Sequence, residues 1–156
     1  MTIARTLQQY LEDQDIAYEV MAHQPTKTSS RTAQASHISG NCLAKGVVLS
    51  REGGFTLAVV PASCNVKMDA VSHFIEGPVS IASEDEIGEL FPDCDEGAIP
   101  PLGAAYGLDV IVDDSLEQRS DIYFEAGDHE SLIHLTGSQF HNLLENIPHG
   151  RIAQQM

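Results

Sequence analysis

At 156 residues with 42% apolar side chains, the chain can bury the core of one domain, which excludes a disordered polypeptide and makes a second domain unnecessary. No apolar run approaches the ~20 residues of a membrane-spanning helix, and Met1 to Tyr10 lacks the basic start and apolar centre of a signal peptide, so a cytoplasmic protein is expected. The net charge of −15 argues at face value against a polyanionic partner, and Cys42, Cys64 and Cys94 are too few and too scattered for a disulfide framework or a zinc knuckle.

Ile3, Leu7, Tyr10 and Leu11 recur at helical spacing and predict an amphipathic helix over residues 3–13, followed by a short strand near Ala17 to Ala22. Pro25 and the polar stretch through Ser30 break that pattern, and Ser29 or Ser30 caps a predicted helix from Arg31 to Ile38. Lys45 to Leu49 and Phe55 to Val60 are β-rich apolar runs separated by Gly53-Gly54, the signature of a hairpin. Asn65 is expected to cap a helix that buries Val66, Ala70 and Phe74, and Pro78 to Ala82 reads as a strand. Ser83-Glu84-Asp85-Glu86 is a capping box opening a helix with Ile87, Leu90 and Phe91 inward.

Gly97 to Gly103 carries Pro100 and Pro101 and can be neither regular helix nor central strand, so it is expected to form a shaped loop. Strands follow at Leu108 to Val112, Ile122 to Glu125 and Leu132 to Leu135, with Asp113 and Asp114 solvating a strand end. Thr136 to Gln139 is a second capping box, for a helix burying Phe140, Leu143, Leu144 and Ile147. Hairpins mixed with isolated helices predict an α+β fold: a single curled, mixed, largely antiparallel sheet with flanking helices. Residues 1–148 are assigned to one domain, and residues 149–156 to a polar C-terminal tail.

The charge is segregated. Between Val20 and Arg51 there is no acidic residue, yet Lys27, Arg31, Lys45 and Arg51 all fall there, whereas Glu76 to Glu130 holds sixteen acids against Arg119 alone. An anionic ligand is tolerated at the basic island, although such a run is equally compatible with a solvated surface.

No nucleophile elbow is present and no cysteine sits in an active-site context, so a covalent mechanism is disfavoured. The seven histidines include no H-E-x-x-H pair, so neither a metal site nor a cofactor is expected. Lys45 opens an otherwise apolar strand. It reads either as an edge-strand lysine that deters aggregation or as a functional cation. The Gly97 to Gly103 loop reads either as a plain turn or as a set of backbone amides able to hold an oxyanion.

Taken in order, five segments resemble the YbaK family of freestanding editing proteins and editing domains inserted in bacterial prolyl-tRNA synthetases. They are His23-Gln24-Pro25 with the Ser/Thr-rich turn after it, Ala44-Lys45-Gly46-Val47-Val48-Leu49, Val59-Val60-Pro61-Ala62, Gly97-Ala98-Ile99-Pro100-Pro101 and Ala126-Gly127-Asp128-His129. The family's lysine falls on Lys45 and its G-x-x-x-P motif on Gly97 to Pro101. The resemblance implies a YbaK-like fold and trans-editing: hydrolysis of the ester on a mischarged tRNA carrying a small residue such as Ala or Cys, on tRNA for proline or a related tRNA.

It further implies catalysis by Lys45 and by the backbone of Gly97, Ala98 and Ile99, with the terminal ribose hydroxyl helping to activate water and Lys45 set against the terminal phosphate or the carbonyl oxygen. His23, Lys27, Arg31, Pro101, Gly127 and His129 are the expected substrate contacts. The histidine that inserted-domain relatives carry before the Gly127 turn falls near Glu125. The implied partners are the 3′ acceptor end of aminoacyl-tRNA and a synthetase or other delivery protein, with no membrane and no DNA. The alternative is a noncatalytic module that binds tRNA or a synthetase and regulates rather than hydrolyses.

Overall fold

The computed structural model describes residues 3–23 and 38–155. Lys27, Arg31 and the helix expected from Arg31 lie outside the described residues. Helix α1 (Arg5–Asp13) buries Leu7 and Leu11, one turn apart on one face, and β1 (Glu19–Ala22) follows. Strands β2 (Ala44–Arg51) and β3 (Gly54–Pro61) pair antiparallel from Ala44–Pro61 to Arg51–Gly54. The two-residue turn is therefore Glu52-Gly53, one position earlier than the glycine pair suggested, with Gly53 at φ 83°. Next come β4 (Cys64–Val66), α2 (Met68–Ile75), β5 (Val79–Ile81) and α3 (Glu84–Leu90). Beyond the Pro-rich loop lie β6 (Asp109–Asp113), β7 (Asp121–Glu125), β8 (Ser131–Thr136), α4 (Gly137–Leu143), β9 (His149–Gly150) and β10 (Ala153–Gln155).

The α+β architecture with a mixed, largely antiparallel sheet is as expected, and its pairing divides into three ladders. Their orders are β5-β2-β3-β6-β9, β1-β8-β7 and β10-β4, and a bridge between Leu43 and Tyr123 joins the first two. β6 lies parallel to β3, so the chain between them crosses over the sheet rather than turning back as a hairpin.

Alternation along β2, β3 and β6 gives the five-stranded ladder two apolar faces. One presents Val48, Leu57, Val59, Val110 and Val112 to the main core, where Leu7, Leu11, Phe91, Phe124, Ile133 and Phe140 pack. The other presents Leu49, Ala58, Val60 and Ile111 to Val71 of α2 and to Ile152. Among the described residues no helix is long and apolar enough to cross a membrane.

Three expectations need correction. Asn65 lies in β4 and caps nothing. Helix α2 begins after Lys67 and buries Val71, leaving Phe74 46% exposed, because the helix meets the sheet one position round from the face first assigned. Residues 149–155 are not a mere polar tail, for β9 and β10 pair with β6 and β4 and Ile152 is 2% exposed. The cause is Asp113, which does not solvate a strand end. Its carboxylate is 5% exposed and accepts the backbone N–H of Ile152 and of Ala153, each at 2.9 Å, and that of Ser115 at 3.1 Å.

Candidate functional site

β5 covers only the far end of β2, because the chain leaves the sheet at Ser83, where a capping box opens α3: the Glu86 N–H donates to the Ser83 hydroxyl and the Ser83 N–H to the Glu86 carboxylate. The last contact of that edge is the Ala82 N–H to the Val48 carbonyl, at 3.0 Å. Beyond it Lys45, Gly46, Val47 and Val48 form one wall of a cavity of about 220 Å³, closed by Ile81, by Glu84 and Ile87 of α3, and by Gly97 and Ile99 of the Pro-rich loop. A strand points its peptide groups alternately to either side, so the N–H and C=O of Gly46 face the same way as those of Val48, toward this uncovered edge.

Lys45 is half-buried, and burial holds its ammonium below the usual lysine range, with the nearby Cys64 sulfur acting in the opposite direction. It takes part in none of the ion pairs between described residues, all of which involve a histidine.

Gly97 takes φ 82°, a left-handed conformation that turns the loop sharply toward β2. Gly97 and Ile99 line the cavity, and among the described residues their amides have no hydrogen-bond partner. Ala98 is a correction. It is fully buried, and its N–H donates to the Asp95 carbonyl at 3.1 Å, so it cannot serve as a donor to substrate. Pro101 is likewise buried and outside the lining of the cavity, so it shapes the loop rather than touching a ligand there.

The Gly127 to His129 turn supports this loop from behind. The Asp95 N–H donates to the Gly127 carbonyl at 2.8 Å, and His129 Nε2 meets the Glu96 carbonyl, one residue before Gly97. Asp128 holds the turn closed by accepting the N–H groups of Glu130 and Ser131 at 3.0 and 2.8 Å. Gly127, at φ 105°, packs so closely on the start of α1 that a Cβ there would meet that of Ala4 at 2.9 Å. Gly127 and His129 are thus brought to the site as supports and not into the cavity.

His23 is not brought to the cavity either. Its backbone N–H donates to the Glu130 carbonyl, and its imidazole, 1% exposed, lies 3.4 Å from the buried carboxylate of Glu125. Glu125 therefore has a histidine beside it, supplied by the residue that follows β1. Sequence reasoning missed Glu84, Ile81 and Ile87. The capping box fixed where α3 starts, but only the crossover shows that its first turn faces β2.

Burial pushes the Cys94 thiol up to about 12, which leaves it no thiolate for attack. A larger cavity, about 430 Å³, opens at the opposite end of β2 around Arg51, Phe74 and Ile147, and none of the expected site residues among the described ones lines it. Size does not choose between the two. The smaller cavity is the one lined by half-buried Lys45 and by Gly97 and Ile99, whose amides have no partner among the described residues.

Residues 23–143 match the model of a family described as an aminoacyl-tRNA editing domain. Among solved structures, the hypothetical protein APE2540 aligns with a TM-score of 0.85 at 16% identity, covering 96% of this chain and 100% of that one. A candidate trans-editing enzyme for prolyl tRNA synthetase aligns with a TM-score of 0.84 at 22% identity, over 97% of this chain and 96% of that one. Likenesses at these identities establish the fold. No curated protein matches the chain.

Proposed function

Since the chain belongs to the aminoacyl-tRNA editing domain family, we propose that it is a trans-editing hydrolase that removes a small amino acid, such as alanine or cysteine, from mischarged tRNA for proline or a related tRNA. The observation that carries this reading is that Lys45 lines one small, largely apolar-walled cavity together with Gly97 and Ile99, whose amides have no partner among the described residues.

In this mechanism water attacks the ester carbonyl, and the negative charge that develops on the carbonyl oxygen is received by the Gly97 and Ile99 amides, already fixed in the loop. The ester C–O bond breaks, the amino acid leaves as its carboxylate, and the departing ribose oxygen takes a proton. The neighbouring ribose hydroxyl orients the water, so the protein need supply no nucleophile. Lys45 anchors the anionic terminal nucleotide, offsetting the repulsion that a chain of net charge −15 exerts on RNA. The apolar walls, Ile81, Ile87 and Ile99, limit the size of the amino acid. A synthetase or other delivery protein is the natural source of the charged tRNA, because this acidity weakens unaided capture.

The test is deacylation of alanyl- and cysteinyl-tRNA by wild type and Lys45→Ala. A charge-assisted contact contributes ~1.5–3 kcal/mol, so kcat/KM for the variant is expected to fall roughly 10- to 100-fold. Equal turnover by both proteins removes Lys45 from the mechanism, and tRNA binding without release of amino acid replaces the hydrolase with a noncatalytic binding module.

A further inference from the structure

The Lys45 cavity contains two opposite charges that do not neutralise each other. Lys45 reaches it from β2 and Glu84 from the first turn of α3, and neither takes part in an ion pair between described residues. The surfaces between them are hydrocarbon: Val47, Ile81, Ile87 and Ile99. Of the three acids in that first turn, Glu86 is engaged by the capping box, and Glu84 is the one that lines the cavity. An apolar slot with a cation on one wall and a separate carboxylate on another fits a small ligand that carries an anion and a cation at a distance from each other. Glu84 is exposed and Lys45 half-buried, so both charges remain accessible to a ligand that enters the cavity.

We propose that Glu84 receives the α-ammonium group of the aminoacyl ester while Lys45 holds the anionic part of the terminal nucleotide, so that the site selects esters with a free α-amine. This rests on the deacylase reading and adds to it a determinant of substrate class. An α-amine of ordinary basicity, with a pKa of about 8, is mostly protonated at neutral pH. Held as ammonium beside Glu84, it withdraws electrons from the adjacent carbonyl and fixes that carbonyl against the Gly97 and Ile99 amides. Esters whose amine is acylated, as in peptidyl-tRNA, would bring a neutral and bulkier group to a carboxylate and are excluded. An editing enzyme with this device leaves growing chains untouched.

The experiment compares alanyl-tRNA with lactyl-tRNA, the α-hydroxy isostere that keeps the size of alanine and lacks its amine, for wild type, Glu84→Gln and Glu84→Asp. Wild type is expected to favour alanyl-tRNA by about tenfold or more in kcat/KM, the scale of one charge-assisted contact. Glu84→Gln lowers alanyl-tRNA turnover by a similar factor and leaves lactyl-tRNA within about twofold, and Glu84→Asp restores part of the preference. An equal fall for both esters would make Glu84 a structural residue of α3 and overturn the proposal, as would an unchanged preference in Glu84→Gln or no preference in wild type. Hydrolysis by wild type of neither these two esters nor cysteinyl-tRNA overturns the deacylase reading and this inference with it, an outcome separate from loss of discrimination alone.

Discussion

Replacing Asp113 by alanine should release the C-terminal segment while the rest of the fold survives. Asp113 Oδ1 accepts the N–H groups of Ile152 and Ala153, and Oδ2 accepts the N–H and hydroxyl of Ser115. Hydrogen bonds to a charged acceptor contribute ~1.5–3 kcal/mol each, but adding them overstates the loss, because a freed segment can peel away and hydrate its amides. The ceiling is the energy that docks the segment. That is the burial of the Ile152 side chain, about 1.5–3 kcal/mol, plus the short β10–β4 ladder at roughly 1 kcal/mol net per hydrogen bond. A loss of about 3–4 kcal/mol follows. At 2–4 °C per kcal/mol for a domain of this size, Tm should fall by roughly 10 °C. Asp113→Asn, which keeps one acceptor for Ile152 and Ala153 but turns an NH₂ toward the Ser115 N–H, should lose about half as much. Thermal unfolding followed by circular dichroism measures the first quantity, and native-state hydrogen exchange at Ile152 and Ala153 the second. A Tm for Asp113→Ala within about 2 °C of wild type, or exchange at those two amides as slow as at Val59 in β3, would refute the assignment of Asp113 as the anchor.

Removing the His129 ring should affect chemistry more than stability. His129→Ala loses the contact to the Glu96 carbonyl behind Gly97, so kcat/KM for deacylation should drop about tenfold while Tm shifts by no more than about 3 °C, and a large loss of stability with unchanged turnover would reverse that assignment. The pH dependence of His149 follows from its hydrogen bond to Asp114 and the nearby Glu117, which raise its pKa above the usual histidine value. A group raised on folding stabilises fully below its unfolded pKa and loses that contribution as pH rises through its folded pKa. The stability difference between wild type and His149→Gln should therefore be greatest in mildly acidic solution and vanish toward alkaline pH, as read from urea unfolding at a series of pH values.

What could be read in advance divides by the range of the interaction that decides it. The capping boxes at Ser83 and Thr136 and the β2–β3 hairpin are settled within a few residues, and the boxes stand where the sequence pattern put them and the hairpin turn within one position of it. The Asp113 anchor spans about forty residues, and an aspartate at the end of a strand looks the same whether it faces water or the backbone of another segment. Phe74 was misplaced for a similar reason: the spacing of apolar residues shows that α2 has a face, but the angle at which it meets the sheet is set by tertiary packing. In the site, the lysine and the glycine that opens the loop carried motif information. The Ala98 amide is committed to Asp95 within three residues, in a turn that no motif marks, whereas the approach of Glu84 to β2 is a product of the crossover and leaves no local trace.

The arrangement of supports around Gly97 bears on how such a site can work without a protein nucleophile. If catalysis comes from positioning, the donors must already be held where the oxyanion will form, and any looseness subtracts directly from the rate. The loop is tied at Asp95 to the Gly127 carbonyl, at Glu96 to His129 and at Ala98 back to Asp95. The turn that carries Gly127 and His129 is in turn fixed by Asp128 and pressed against Ala4. Gly97 and Ile99 alternate with these tied residues and keep their amides open. The same backbone is thus held at Asp95, Glu96 and Ala98 and left open at Gly97 and Ile99. On the proposed mechanism, Ala98, Gly127 and His129 would act by holding Gly97 and Ile99 in place, without touching the substrate.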